Sequence, residues 1–146
     1  KVHVLDKVFG IDTLAIFRSG QWISIQEKYR QNKYLGNSFR VDQSCPDFTQ
    51  EFMNATGTRH EQLGEWFHLG AQLYFYGWSN EAGTDFEKWV LLDIAKYKLL
   101  VEQAGGLAKI GKLRQNATHG RANFYAIPVK ALREAWIATH LTAIPR

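Results

Sequence analysis

Two runs of β-type residues flank a short polar loop near the start of the sequence. Residues 11–17 are mostly β-branched or apolar, and residues 21–29 alternate apolar residues with others. The loop between them, 18–20, reads Arg-Ser-Gly and supplies turn chemistry. The pattern predicts an antiparallel hairpin. A hairpin constrains the fold strongly, because it places residues of its two runs side by side.

The rest of the sequence predicts a mixed α/β chain. No internal repeat or Pro/Gly/Ser-rich linker divides its 146 residues, so we expect one domain over 1–146, with a central mixed β-sheet flanked by helices. The expected strands are 72–78, 88–92 and 123–127. The expected helices are 47–55 capped by Asp47, a stretch at 59–69, 94–103 capped by Asp93, a short basic one at 107–114, and 130–140.

Composition excludes several classes of protein. Hydrophobic residues make up 45% of the chain, which argues against a disordered tail, and no run of 18 apolar residues predicts a membrane span. The single cysteine, Cys45, excludes a disulfide framework and a cysteine-based zinc cluster. A reducing, cytoplasmic location is therefore expected, without a membrane partner.

Charge is unevenly distributed along the chain. Residues 1–40 carry seven Lys/Arg and three Asp/Glu, residues 41–93 carry two and nine, and residues 94–146 carry nine and two. The net charge of +4 therefore hides two basic segments around an acidic one. If the fold joins the basic segments, they form a positive face that suits a polyanion such as DNA.

The hairpin also carries the residues with the clearest chemical potential. Asp12 comes early in its first strand, and Gln26 and Lys28 lie near the end of its second. Side chains alternate along a strand, so Gln26 and Lys28 share a face and Glu27 points to the other. Carboxylate and amide oxygens suit a hard cation such as Mg²⁺, with Mn²⁺ as an alternative. A neighbouring ammonium completes the parts needed for metal-assisted phosphodiester hydrolysis.

This arrangement resembles the PD-(D/E)xK, or restriction-endonuclease-like, nuclease superfamily. The similarity covers about residues 10–30: Gly-Ile-Asp, a strand, a turn, and then Gln-x-Lys, a known variant of Glu-x-Lys. It implies a Mg²⁺-dependent DNA endonuclease of restriction, homing or recombination type that cuts double-stranded DNA as a homodimer or higher symmetric oligomer. Asp12, Gln26 and Lys28 would be catalytic, with Asp12, Gln26 and Glu27 as metal ligands.

The sequence departs from the common pattern in its acids. Gln26 is neutral where most relatives carry Glu, and Asp6 and Glu27 are candidates to add a carboxylate. Many relatives also supply a Glu from a helix before the first strand. The sequence starts only 11 residues before Asp12, so we expect that helix to be missing or to lie upstream.

Basic residues near the motif and in the last third of the chain are candidates for phosphate contacts. Two alternatives to a nuclease stay open: a nucleic-acid-binding module with a degenerate, non-catalytic nuclease fold, and a protein-interaction domain. The candidate DNA-binding residues are Arg30, Lys33, Arg40, Lys112, Arg114 and Arg121.

Overall fold

A computed structural model describes residues 9–31, 46–116 and 121–141 of the chain. Within these residues, nine strands form two β-sheets. The strands are β1 (Thr13–Ile16), β2 (Trp22–Arg30), β3 (Asp47–Asn54), β4 (Gln62–Leu63), β5 (Leu73–Ser79), β6 (Phe86–Asp93), β7 (Lys112–Gln115), β8 (Asn123–Pro128) and β9 (Trp136–His140). They are accompanied by helices α1 (Ile94–Gln103) and α2 (Leu107–Ile110), and by 3₁₀ helices at Glu65–His68 and Val129–Ala135.

The first sheet contains the predicted hairpin. Its strand order is β1-β2-β5-β6-β9, and it is mixed, because β2 and β5 are parallel and its other pairs are antiparallel. In the hairpin, Thr13 lies opposite Ile25 and Ile16 opposite Trp22. The second sheet, β4-β3-β8-β7, is antiparallel throughout. The chain is therefore mixed α/β, with two sheets where one was expected.

The two sheets and helix α1 share one hydrophobic core. Phe48 of β3 is fully buried, and its ring centre lies 5.0 Å from Tyr74, 4.8 Å from Tyr76 and 5.4 Å from Tyr97. Tyr74 and Tyr76 belong to β5, and Tyr97 belongs to α1. Strand β5 turns alternate residues inward, which explains why Tyr74, Tyr76 and Trp78 lie in the core.

The helix predicted at 47–55 is wrong. This segment is β3, in which Asp47 lies opposite Pro128 and Gln50 opposite Tyr125 of β8. Asp47 through Gln50 are all buried. A helix cap is a local signal, whereas this segment is decided by its pairing with a strand about 75 residues away in sequence.

The helix predicted at 130–140 is also wrong. The chain forms the 3₁₀ helix Val129–Ala135 and then β9, whose Thr139 lies opposite Val90 of β6. Pairing with β6 supplies hydrogen-bond partners for the backbone of 136–140, and this long-range gain overrides the local helical pattern.

Two further helix predictions hold only over part of their length. The stretch 59–69 contains β4 and the short 3₁₀ helix Glu65–His68, and the stretch 107–114 divides into α2 and β7. The expected strands at 72–78, 88–92 and 123–127 are confirmed, as is helix 94–103. Its cap is Asp93, whose side chain accepts a hydrogen bond from the Lys96 backbone N–H at 3.0 Å.

Candidate functional site

A cleft of about 580 Å³ lies beside the hairpin, where β2 of the first sheet approaches the second sheet. Asp12, Gln26, Glu27 and Lys28 of the hairpin line it. The cleft also takes side chains from β3, β4 and the Glu65–His68 helix. Its lining consists of Gly10, Asp12, Gln26, Glu27, Lys28, Glu51, Asn54, Gln62, Leu63, Gly64, Glu65 and His68.

Asp12 is joined to the second strand by three hydrogen bonds. Its backbone N–H donates to the Ile25 carbonyl at 3.0 Å. Its Oδ2 accepts from Gln26 Nε2 at 2.7 Å and from the backbone N–H of Glu27 at 2.7 Å. The register explains this contact, since Thr13 pairs with Ile25 and Asp12 therefore lies level with Gln26. The hairpin therefore brings Asp12 and Gln26 into contact.

Gln26 presents its amide nitrogen, and not its carbonyl oxygen, to Asp12. The residue is only 7% exposed, and its Oε1 is buried without a hydrogen bond from the described part of the chain. This oxygen lies close to Gly10, because an ideal Cβ on Gly10 would be 3.1 Å from it. A buried acceptor without a donor is unfavourable, so it is a candidate ligand for a cation.

These oxygen donors fit Mg²⁺, which binds through one or two protein carboxylates and retains several waters. In the described ranges, no group of three or more His, Cys, Asp and Glu side chains is placed to hold a metal ion. A cation at this position would therefore depend on Asp12 and on Oε1 of Gln26.

Lys28 forms an ion pair across the cleft. Its Nζ lies 3.0 Å from Oε2 of Glu65, and the two side chains are 25% and 15% exposed. Burial desolvates the ammonium and acts to lower its pKa. Charge interactions with Glu65, Tyr76 and Glu51, together with the Glu65 hydrogen bond, outweigh this and raise the pKa of Lys28 above its usual value. Lys28 is therefore a cation at neutral pH.

Glu65 is the site residue that sequence reasoning missed. Besides Lys28, its carboxylate accepts hydrogen bonds from Gln50 Nε2 at 3.0 Å and from the Tyr74 hydroxyl at 2.7 Å. Gln50 in turn accepts a hydrogen bond from the Tyr97 hydroxyl at 3.2 Å. Burial and the nearby Glu65 raise the pKa of both tyrosines well above the usual value. The segment around Glu65 predicted only a helix, so nothing local indicated that it faces Lys28.

The side chain of Glu27 interacts along its own strand. Its carboxylate accepts a hydrogen bond from the Tyr29 hydroxyl, two residues along β2, and its backbone N–H donates to Asp12. Burial, this hydrogen bond and the charges of Glu27 and Asp12 raise the pKa of Tyr29 to about 12. The predicted role of Glu27 as a metal ligand stays a prediction.

Those predicted DNA-binding residues that the structure describes do not line the cleft. Arg30 is the last residue of β2, Lys112 and Arg114 lie on β7 at the edge of the second sheet, and Arg121 is exposed in the turn before β8. The predictions for Lys33 and Arg40, and for Asp6 as an extra acid, fall outside the described residues.

Comparison with known proteins does not identify a family for this chain. No family model, no curated protein and no solved structure matches the chain. Among the described residues, no helix is long and apolar enough to cross a membrane.

Proposed function

We propose that this protein is a Mg²⁺-dependent hydrolase of DNA phosphodiester bonds, with a restriction-endonuclease-like fold around its hairpin. The supporting observation is that Asp12, Gln26 and Lys28 line one cleft, with Asp12 and Gln26 in contact. One carboxylate, one amide and one ammonium in one cleft are the side chains that metal-assisted phosphodiester hydrolysis uses.

Each residue has a distinct part in this proposal. Asp12 and Gln26 would hold the cation, Gln26 through Oε1. Bound Mg²⁺ would polarise the scissile phosphate and lower the pKa of attached water. Lys28, held protonated, would orient the attacking water and stabilise negative charge that develops on the phosphate.

Duplex DNA is the proposed substrate. The basic residues outside the cleft, among them Lys112 and Arg121, would neutralise backbone phosphates on either side of the scissile bond. Cutting both strands usually needs two sites, so we also propose a symmetric homodimer or higher oligomer. Restriction, homing and recombination roles are equally compatible with this site.

The test is a nicking assay on supercoiled plasmid, with Mg²⁺ or with EDTA, in about 0.1 M salt. The wild type is expected to nick only with Mg²⁺. Asp12→Asn and Lys28→Met are each expected to reduce the rate at least about 100-fold, because each removes a charge that acts on the reacting phosphate. Asp85→Asn, at an exposed loop position, serves as the matched control. Equal rates in all four proteins would overturn the site assignment.

A second candidate function is DNA binding without cleavage. The direct hydrogen bond from Gln26 Nε2 to Asp12 favours it, because this bond uses a carboxylate oxygen that a cation would need. In this case DNA affinity would fall steeply as salt increases, and no divalent ion would support nicking. The two functions are therefore distinguished by measuring binding and nicking on the same DNA.

A further inference from the structure

Three donors converge on the carboxylate of Glu65. Oε2 accepts hydrogen bonds from Lys28 and Gln50, each at 3.0 Å, and Oε1 accepts one from Tyr74 at 2.7 Å. The Glu65 side chain is only 15% exposed. Three hydrogen bonds at normal distances give a buried carboxylate a fixed orientation and compensate for its lost hydration.

The partners of Glu65 are themselves anchored in the core. Gln50 and Tyr74 are fully buried, and Gln50 accepts a hydrogen bond from the buried Tyr97 hydroxyl. Strand β3 provides Gln50, strand β5 provides Tyr74 and helix α1 provides Tyr97. The position of the carboxylate is therefore set jointly by both sheets and by a helix.

We propose that Glu65 is a positioning residue that fixes the Lys28 ammonium on the wall of the cleft; this inference rests on the proposed function. Lysine has a flexible four-carbon stem, and a free Lys28 would sample many rotamers. The anchored carboxylate selects the one in which Nζ lies 3.0 Å from Oε2. Because the ammonium is ordered before DNA binds, the entropy cost of fixing the Lys28 side chain does not add to the barrier of the reaction step.

The hydrogen bonds distinguish this role from direct metal binding by Glu65. Both carboxylate oxygens already accept hydrogen bonds, and one of them accepts two. Within the described residues, Glu65 belongs to no group of three or more potential metal-ligating side chains. Glu65 therefore acts on the reaction through Lys28.

A double-mutant cycle on the nicking reaction tests the proposal. It compares the wild type, Glu65→Gln, Lys28→Met and the double variant, with kcat and KM measured separately. Glu65→Gln is expected to lower kcat about 10- to 100-fold and to change KM less than about 3-fold, because misplacing the ammonium weakens transition-state contacts more than DNA binding. In the Lys28→Met background, the same substitution is expected to change kcat less than about 2-fold.

Two further variants control for structural effects. Glu65→Asp keeps the charge and is expected to recover part of the lost kcat, and it replaces Glu65→Gln in the cycle if that variant does not fold. Glu102→Gln, at an exposed position of α1, repeats the chemical change away from the cleft and is expected to keep wild-type kinetics. The inference is overturned if Glu65→Gln keeps wild-type kcat, or if it lowers kcat equally with and without Lys28.

If the wild type nicks DNA no faster than Asp12→Asn does, the proposed function is overturned. In that case, the urea unfolding midpoints of the same four proteins test whether Glu65 and Lys28 interact. If the midpoint shifts of the single variants add up to that of the double variant, Glu65 does not hold Lys28. If they are strongly non-additive, the ion pair stands although the nuclease proposal has failed.

Discussion

Replacing Gly10 by Ala should destabilise the protein at the edge of the cleft. Gly10 has a φ of +56°, and an ideal Cβ there would lie 2.6 Å from the carbonyl oxygen of His68. That oxygen belongs to the backbone, and the same stretch is held against Phe9 by the hydrogen bond from the Gly70 N–H to the Phe9 carbonyl at 2.9 Å. The added methyl group therefore has no flexible neighbour that can give way on this side.

The magnitude follows from two costs. A non-glycine residue in the left-handed region costs about 1–2 kcal/mol. Overpacking against a close backbone atom adds about 1–3 kcal/mol. Gly20 provides a matched control, because its φ is +81° but nothing lies within 4 Å of its ideal Cβ. Gly20→Ala therefore carries only the first cost, and both substitutions share the entropy that the unfolded chain loses.

The assay is equilibrium unfolding in urea, with the slope checked for two-state behaviour. We expect Gly10→Ala to lose about 1–3 kcal/mol more unfolding free energy than Gly20→Ala, which is the overpacking cost alone. Equal losses in the two variants would refute the reasoning. If the proposed function is correct, Gly10→Ala also slows nicking, because the same Cβ would lie 3.1 Å from Oε1 of Gln26.

Three other predictions concern the core, a helix cap and the buried tyrosines. Phe48→Ala should lower the unfolding free energy by about 3–5 kcal/mol in urea, because its ring is fully buried, and a loss below about 1 kcal/mol would contradict its place in the core. Asp93→Ala should cost about 1 kcal/mol by the same assay, because the Lys96 N–H loses its acceptor, and an unchanged midpoint would contradict the cap. The raised pKa values of Tyr74 and Tyr97 mean that the folded state holds these protons more tightly than the unfolded state. Their contribution to stability is complete below about pH 10 and is lost as the pH rises above it, so their phenolate absorbance should appear together with unfolding; ionisation near pH 10 in the folded protein would contradict this.

Local signals predicted the elements whose partners are near in sequence. The hairpin depends on a three-residue loop between two β-type runs, and helix α1 has its cap at Asp93, immediately before it. Both were predicted correctly, because the deciding interactions lie within a few residues. The segments 47–55 and 130–140 were predicted as helices and form strands, since their partners, β8 and β6, lie far away in the sequence.

The contacts of the candidate site also differ in whether the local sequence predicts them. The sequence alone determined that Asp12 meets Gln26, because a hairpin register follows from its turn and from the alternation of side chains. Only the tertiary structure decided that Lys28 meets Glu65, 37 residues further along, and that Gln50, Tyr74 and Tyr97 hold this carboxylate in place. These contacts join both sheets and helix α1, and such packing depends on the burial of surfaces from distant segments, which no local pattern records.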